Sequence, residues 1–457
     1  LPRRWVASWN ALITGYVRCG QPEEALNLFQ HMRQEIQEPD NITFVNVFKA
    51  CGSLGYLNQT KEIHSLAKRH EHELDHYLEN TLIDTYGKCG DVTKSELVFS
   101  TLSNPTPVSW NAMLSAYVEE GRGDKVLLFY SRMTKQEGME PDHLSIVFAL
   151  QACGMLVTEK EEGVPTKAEV LMIGRALHMV SESTGLSENV FLGTTLVNMY
   201  GKCGSPEDAK RVFDGLLCKD VIAWGALMIG YAQEGNCHEV LGLFTKMHMC
   251  NVKPNKVVFL ALLRACGAIA AMKQGLLVHA SILESNESFD ISMGSAIVDM
   301  YAKCGYLIEA QKSFEVLPEK DIKAWGAIVS GYSSFGNHGM VLQCYADMKR
   351  HNVKPDCAIF TSIFASCSHA GLLHQGKEHF HSMIVDYGMK PDTEHYNCMV
   401  DLLGRGGQLK EAKGILDTMI VQTNIAGWLS LLTSCRTYAD PLIGRQCFDK
   451  IIEIEPA

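Results

Sequence analysis

Apolar residues along this chain recur at helical spacing in short stretches, and each stretch stops at a Gly or a Pro. Leu12, Ile13 and Tyr16 mark one buried stripe over residues 8–17, and Ala25, Leu28, Phe29 and Met32 mark a second over 22–33. Spacings of i, i+3 and i+4 define amphipathic helices rather than strands. Cys19-Gly20 separates the two, and Pro22 suits a first helical turn, where its missing N–H costs nothing. Glu23 and Glu24 suit the positive N-terminal end of that helix, and Pro39-Asp40 closes the unit. A second pair follows over 41–75, with Phe44, Val47, Phe48 and Ala50 facing inward from its first helix and Ile63, Leu66 and Ala67 from its second. A shorter pair ends at residue 106.

This long–long–short cassette repeats. Trp9, Trp110, Trp224 and Trp325 stand 101, 114 and 101 residues apart. Tyr86-Gly87-Lys88-Cys89-Gly90 returns at Tyr200–Gly204 and, with Ala302 for the first glycine, at Tyr301–Gly305. Ala50-Cys51 returns at Ala152-Cys153 and Ala265-Cys266, and as Ser366-Cys367. The cassettes span residues 6–106, 107–220, 221–321 and 322–424, with 1–5 ending an earlier short repeat and 425–457 forming a C-terminal extension. The second cassette is longer, by one residue in the Met133–Asp142 loop and twelve near 157–169. Thr158-Glu159-Lys160-Glu161-Glu162-Gly163-Val164-Pro165 in that insert reads as a solvated loop. Fixed-period helix pairs predict an all-α, right-handed α-solenoid with one continuous core.

Composition narrows the function. Of 457 residues, 46% are hydrophobic and 20% charged, as in ordinary folded proteins. The net charge of −11 argues against a protein that coats nucleic acid indiscriminately, but leaves room for a narrow basic stripe. No apolar run approaches the ~18 residues of a spanning helix, so no membrane association is expected. The 16 cysteines occupy repeat-equivalent places without any Cys-x-x-Cys pair, which points to small core residues rather than disulfides or a metal site. Leu1-Pro2-Arg3-Arg4-Trp5 aligns with Leu317–Asp321, so the chain is expected to be a fragment that opens inside a repeat.

The three-part cassette, its Tyr-x-Lys-Cys-Gly turns and its Pro-Asp closures resemble the PLS class of plant pentatricopeptide repeat proteins. Cys367–Leu372 and Met399–Arg405 resemble that class's last long and short repeats. Trp428–Arg436 and Glu453-Ile454-Glu455-Pro456 resemble part of its E-type extension. The resemblance implies a binder of single-stranded RNA in mitochondria or chloroplasts, most often a site-recognition factor for C-to-U editing. A zinc deaminase needs His-x-Glu with a downstream Cys-x-x-Cys, and neither is present. The chain as it stands is therefore expected to be no enzyme and to need no cofactor, with a deaminase supplied in trans or by sequence missing from the chain.

The resemblance also assigns residues. Two side chains per repeat would read a base, the fifth of the first helix and the last of the repeat. Asn10 with Asp40 and Asn111 with Asp142 match the uracil-preferring combination; Thr194 with Asp220 and Ser295 with Asp321 match the guanine-preferring one. Asn80 with Thr106 and Asn397 with Asn424 suggest pyrimidines. Asn255 and Asp356 are paired with Gly225 and Gly326, which offer no reader, so those repeats should discriminate poorly. Val45, Val147 and Leu260 cannot hydrogen-bond a base, and with Thr361 they are expected to space the readers. Arg18, Lys88, Lys202, Lys303 and Arg405, eight residues after a reader, would face phosphate, and Tyr77, Val108, Phe191 and Ile222 would wedge against bases.

Structural roles compete with each assignment. The tryptophans and the turn cysteines suit the core, Gly90, Gly204 and Gly305 suit left-handed helix ends, and the adjoining lysines suit the helix C-terminal dipole. Asp40, Asp142 and Asp356 could close loops, and Asn10, Asn80 and Asn111 could cap helices. Variation at the fifth position within an otherwise repetitive frame favours the reader role. Transcript stabilisation or splicing is an alternative within RNA binding, and a tetratricopeptide-like protein scaffold is one outside it.

Overall fold

The computed structural model describes residues 5–69, 75–136, 138–158, 165–186, 189–285, 290–418 and 425–454. Those residues form twenty-six α-helices and no strand. They divide into two compact units, Leu1–Glu234 and Gly235–Ala457.

In the first unit the helix pairs begin with α1 (Val6–Arg18) and α2 (Pro22–Gln34), then α3 (Asn41–Leu54) and α4 (Leu57–Arg69). The pairs α5 (His76–Lys88) with α6 (Val92–Thr101) and α7 (Pro107–Glu119) with α8 (Gly123–Ser131) follow. Next come α9 (His143–Leu156), α10 (Lys167–Ser183), α11 (Val190–Lys202), α12 (Pro206–Gly215) and α13 (Val221–Gln233). The second unit runs from α14 (Cys237–Met249) through α15 (Lys256–Ala268), α16 (Met272–Glu284), α17 (Ile291–Lys303) and α18 (Leu307–Val316). It continues with α19 (Ile322–Ser334), α20 (His338–Arg350), α21 (Cys357–Ala370) and α22 (Leu373–Val385). It ends with α23 (Thr393–Arg405), α24 (Leu409–Thr418), α25 (Ile425–Thr437) and α26 (Pro441–Ile454).

Within each unit every first helix packs on the first helices before and after it, so these odd-numbered helices form one wall and the second helices back it. The sequence explains the close stacking. A methyl group added at Gly87 would lie 2.6 Å from Ala116 Cβ, and one at Gly230 would lie 2.7 Å from Gly201 Cα. The small residue of the Tyr-x-Lys-Cys-Gly motif is thus a helix-crossing point. Gly90, Gly204 and Gly305 end their helices at φ of 77°, 75° and 81°, which only glycine adopts without strain. Trp9, Trp110, Trp224 and Trp325 are all buried. Trp110 packs its ring 4.9 Å from Phe99 and 4.6 Å from Phe129, aromatic contacts worth about 0.5–1.5 kcal/mol each beyond area burial. Three histidines of the middle repeats bond the tyrosine of the following turn motif: His64 to Tyr86, His178 to Tyr200 and His279 to Tyr301, at 2.8–2.9 Å.

Several expectations need correcting. Leu12 is 46% exposed, whereas Met113 and Ile328, at the same place in α7 and α19, are fully buried. The difference arises because those helices pack on a preceding one, and α1 has none among the described residues. The extra residue after α8 forms a π-helical turn, Arg132–Gln136, rather than lengthening a loop. Lys167, Ala168 and Glu169, assigned to the solvated insert, are helical, because Thr166 and Glu169 form a capping box that starts α10 early. The central stretch of that insert, 159–164, lies outside the described residues, as do residues 1–4 and Asn424.

Candidate nucleic-acid interface

The wall of first helices carries the candidate readers. Their two members differ in origin. Asn10, Asn80, Asn111, Thr194, Ser295 and Asn397 lie inside first helices, so none of the three asparagines proposed as alternative caps is one. The repeat-ending residues are the caps instead. Asp40, Thr106, Asp142, Asp220, Asn255, Asp321 and Asp356 each accept a backbone N–H three residues on, in α3, α7, α9, α13, α15, α19 and α21. Capping contributes about 1 kcal/mol per helix and fixes where the carboxylate points.

Three pairs are brought into direct contact. Asn10 Nδ2 donates to both carboxylate oxygens of Asp40 at 2.9 and 3.0 Å, while Thr43 Oγ1 donates to Asn10 Oδ1 at 2.6 Å. Asn111 Nδ2 donates to Asp142 Oδ2 at 2.7 Å. Ser295 Oγ lies 2.9 Å from Asp321 Oδ1. Burial works to raise the Asp40 pKa, but the hydrogen bonds from Thr43 and Asn10 prevail and hold it below its ordinary value. No direct hydrogen bond joins Asn80 to Thr106 or Thr194 to Asp220 among the described residues. Asn80 Oδ1, Asn111 Oδ1 and Thr194 Oγ1 are instead buried polar atoms without a partner. Such atoms cost about 1–3 kcal/mol each unless something pairs them. Others occur at Asn41, Ser366 and the indoles of Trp224 and Trp325, so such atoms are not confined to the readers. At Gly326 the reader place is open, the nearest atom to an added Cβ being Ile359 Cγ1 at 4.0 Å.

Apolar side chains flank the readers one helical turn away. Tyr77, Val108, Phe191 and Ile222 are 56–62% exposed, against the usual burial of such residues. Ile42, Leu144 and Val257 occupy the same second helix position and are exposed too, a set the sequence reading passed over although the register would have found it. Lys49 donates to Tyr77 OH at 3.0 Å.

The five cations close the last turns of α1, α5, α11, α17 and α23. Three already carry a partner one turn earlier: Lys88 with Asp84 at 2.7 Å, Lys303 with Asp299 at 2.7 Å, and Arg405 with Asp401 at 2.9 Å. The proposed track is therefore less positive than five free charges. These i,i+4 pairs were legible in the sequence. The stems of Lys88, Lys202 and Lys303 run against Gly52, Gly154 and Gly267, where an added Cβ would lie 3.0–3.5 Å from the lysine Cδ. That contact accounts for the glycine after each Ala-Cys. Ser368 replaces it in the last cassette and bonds Asp401 at 2.5 Å.

The described residues hold no cluster of three or more His, Cys, Asp or Glu that could bind a metal ion, and no helix long and apolar enough to cross a membrane. The turn cysteines are buried or half-buried.

Known proteins share this architecture. A family model described as "PPR repeat family" matches residues 5–53, and one described as "PPR repeat" matches 80–102, 108–137, 194–221, 222–252, 323–353 and 394–422. A putative pentatricopeptide repeat-containing protein of Arabidopsis thaliana, At3g15130, is 32% identical over 459 residues, covering 100% of this chain and 65% of the relative. A second from Arabidopsis thaliana, At3g25060, named mitochondrial, is 31% identical over 100% of this chain and 74% of its own length. This chain thus spans about two thirds to three quarters of the length of these relatives. The crystal structure of the maize pentatricopeptide repeat protein PPR10 superposes with a TM-score of 0.56 at 16% identity, covering 98% of this chain and 73% of that one. PPR10 has also been crystallised in complex with an 18-nucleotide psaJ RNA element, again with a TM-score of 0.56, at 15% identity over 99% of this chain and 79% of PPR10. The fold is an α-solenoid, and the chain belongs to the pentatricopeptide repeat family.

Proposed function

We propose that this protein binds single-stranded RNA along its wall of first helices, reading bases with the paired fifth-helix and capping residues. One observation carries it. In α5, α7 and α11 a buried, unpaired polar atom (Asn80 Oδ1, Asn111 Oδ1, Thr194 Oγ1) sits one turn from an exposed apolar side chain (Tyr77, Val108, Phe191). A base stacked on the latter would offer its Watson–Crick edge to the former. An amide oxygen only accepts, so Asn80 and Asn111 suit an imino N–H, while a hydroxyl can rotate to donate or accept. RNA in the PPR10 complex supports the same use of the fold.

The finer assignment is a PLS-class site-recognition factor for C-to-U editing in mitochondria or chloroplasts, with the α25–α26 pair as part of an E-type extension and a deaminase acting in trans. Relatives named mitochondrial and chloroplastic support the compartment. The expected register over the first three cassettes is U-n-pyrimidine, U-n-G, then a weak position, n and G, read 5′ to 3′ from the N-terminal repeats. Fluorescence polarisation with this RNA against a scrambled one tests binding: a preference of about tenfold or more is expected, and equal affinity would refute base reading. Sequencing organelle transcripts with and without the protein tests editing, with loss of conversion at a single C expected.

A further inference from the structure

The second-helix side of the first cassette holds a cleft that the RNA wall does not use. It lies between α4 and α6, encloses about 400 Å³, and is lined by Lys61, His64, Lys68, Glu79, Tyr86 and Lys94 among others. His64 is 9% exposed, and its Nδ1 is 2.8 Å from Tyr86 OH. Burial pushes the Tyr86 phenol up to about 12, so it keeps its proton and can donate it to Nδ1. The imidazole proton then resides on Nε2, which has no protein partner among the described residues. Lys68 and Lys94 are exposed and are close enough, together with burial, to lower the His64 pKa to about 4. Lys61 is paired with Asp91 at 2.9 Å and Glu79 faces His76 at 3.4 Å, while among the described residues no ion pair holds Lys68 or Lys94.

Comparison with the other cassettes separates this cluster from the scaffold. The His–Tyr bond recurs at His178–Tyr200 and His279–Tyr301. The lysines do not: Glu182 and Asp208 stand at the equivalents of Lys68 and Lys94 in the second cassette, and Leu283 and Glu309 in the third. In the second cassette Asp208 forms ion pairs with Arg175 and Arg211. The histidine and tyrosine therefore recur through three cassettes, whereas the positive charge belongs to the first alone.

We propose that the cleft between α4 and α6 binds a small phosphate-bearing anion, inorganic phosphate or a phosphomonoester, through Lys68, Lys94 and the Nε2–H of His64. Two lysines and an imidazole held by Tyr86 line it, and charge-assisted hydrogen bonds are the stronger kind. The assignment does not depend on RNA reading, since no reader lines the cleft.

Titration of the whole protein with inorganic phosphate, and separately with uridine 5′-monophosphate, at ionic strength held constant with chloride, tests it calorimetrically. Saturable one-site binding of either anion is expected. Lys68→Glu with Lys94→Asp, which installs the second-cassette residues at exposed places, should weaken it about tenfold or more while leaving helicity and melting temperature unchanged. Lys68→Arg with Lys94→Arg should retain it. Absence of saturable binding, or equal binding by the charge-reversed protein, overturns the proposal. So does a charge-reversed protein whose only loss is RNA affinity, which would make the lysines part of the RNA track.

Discussion

In the unit ending at Glu234, Ile42, Tyr77, Val108, Leu144, Phe191 and Ile222 stand exposed at the second residue of their helices. Among the described first helices of the unit beginning at Gly235 only Val257 does, and the later places hold Ser292, Lys323, Ala358 and Glu394. The unpaired reader atoms divide the same way, Asn80, Asn111 and Thr194 all belonging to the first unit. In the second unit, Ser295 is bonded to Asp321 and Gly326 offers nothing. The scaffold shows no such division. Trp110 and Trp325 are equally buried, and Asp220 and Asp321 cap their helices identically. Positions that hold the repeat together are thus constrained alike throughout, whereas those facing the candidate ligand are free to differ. On the proposed RNA-binding reading, stacking side chains are concentrated in the first unit.

The shared scaffold is open to the largest perturbation. Trp110→Ala and Trp325→Ala should each destabilise their own unit by about 3–5 kcal/mol, read from urea unfolding. A cost confined to one of them would break the claim of a common frame. Next in size is stacking. Phe191→Ala should weaken RNA binding by about 1–3 kcal/mol, whereas Ser292→Ala should leave it within error. Equal effects would erase the distinction between the units. A gain is also available: Gly326→Asn has room for its side chain beside the Asp356 cap and should create a uracil preference of about 1 kcal/mol at one nucleotide. The smallest effect concerns acid. Because the folded Asp40 pKa lies below its ordinary value of 3.8, its contribution is present above that pH and lost as pH falls through the folded pKa. Asp40→Asn should therefore flatten the acid limb of the stability curve below about pH 4, measured by circular dichroism.

Much of this was legible beforehand for a physical reason. Helix pairs stacked at a fixed period expose their register in the spacing of Trp9, Trp110, Trp224 and Trp325, and a register once known places every equivalent residue. The buried tryptophans followed from it. What escaped depends on three-dimensional neighbours. Leu12 looks apolar and periodic but faces no preceding helix among those described. Asp40 reads as a loop closer or a base reader, and only its bonds to both Thr43 N and Asn10 show one side chain serving the frame and the candidate interface together. Asp84, Asp299 and Asp401 are a different case: four residues before each cation, they follow from helical spacing alone.

The most direct test exchanges one reader and nothing else. Thr194 lies in α11 with its hydroxyl unpaired, and Asp220 caps the helix that follows the next pair member. Affinities of the wild-type protein and of Thr194→Asn should be measured for two RNAs differing only in G or U at the nucleotide assigned to that repeat. The account predicts that the preference reverses from guanine to uracil there, with overall affinity held. An unchanged preference would contradict it.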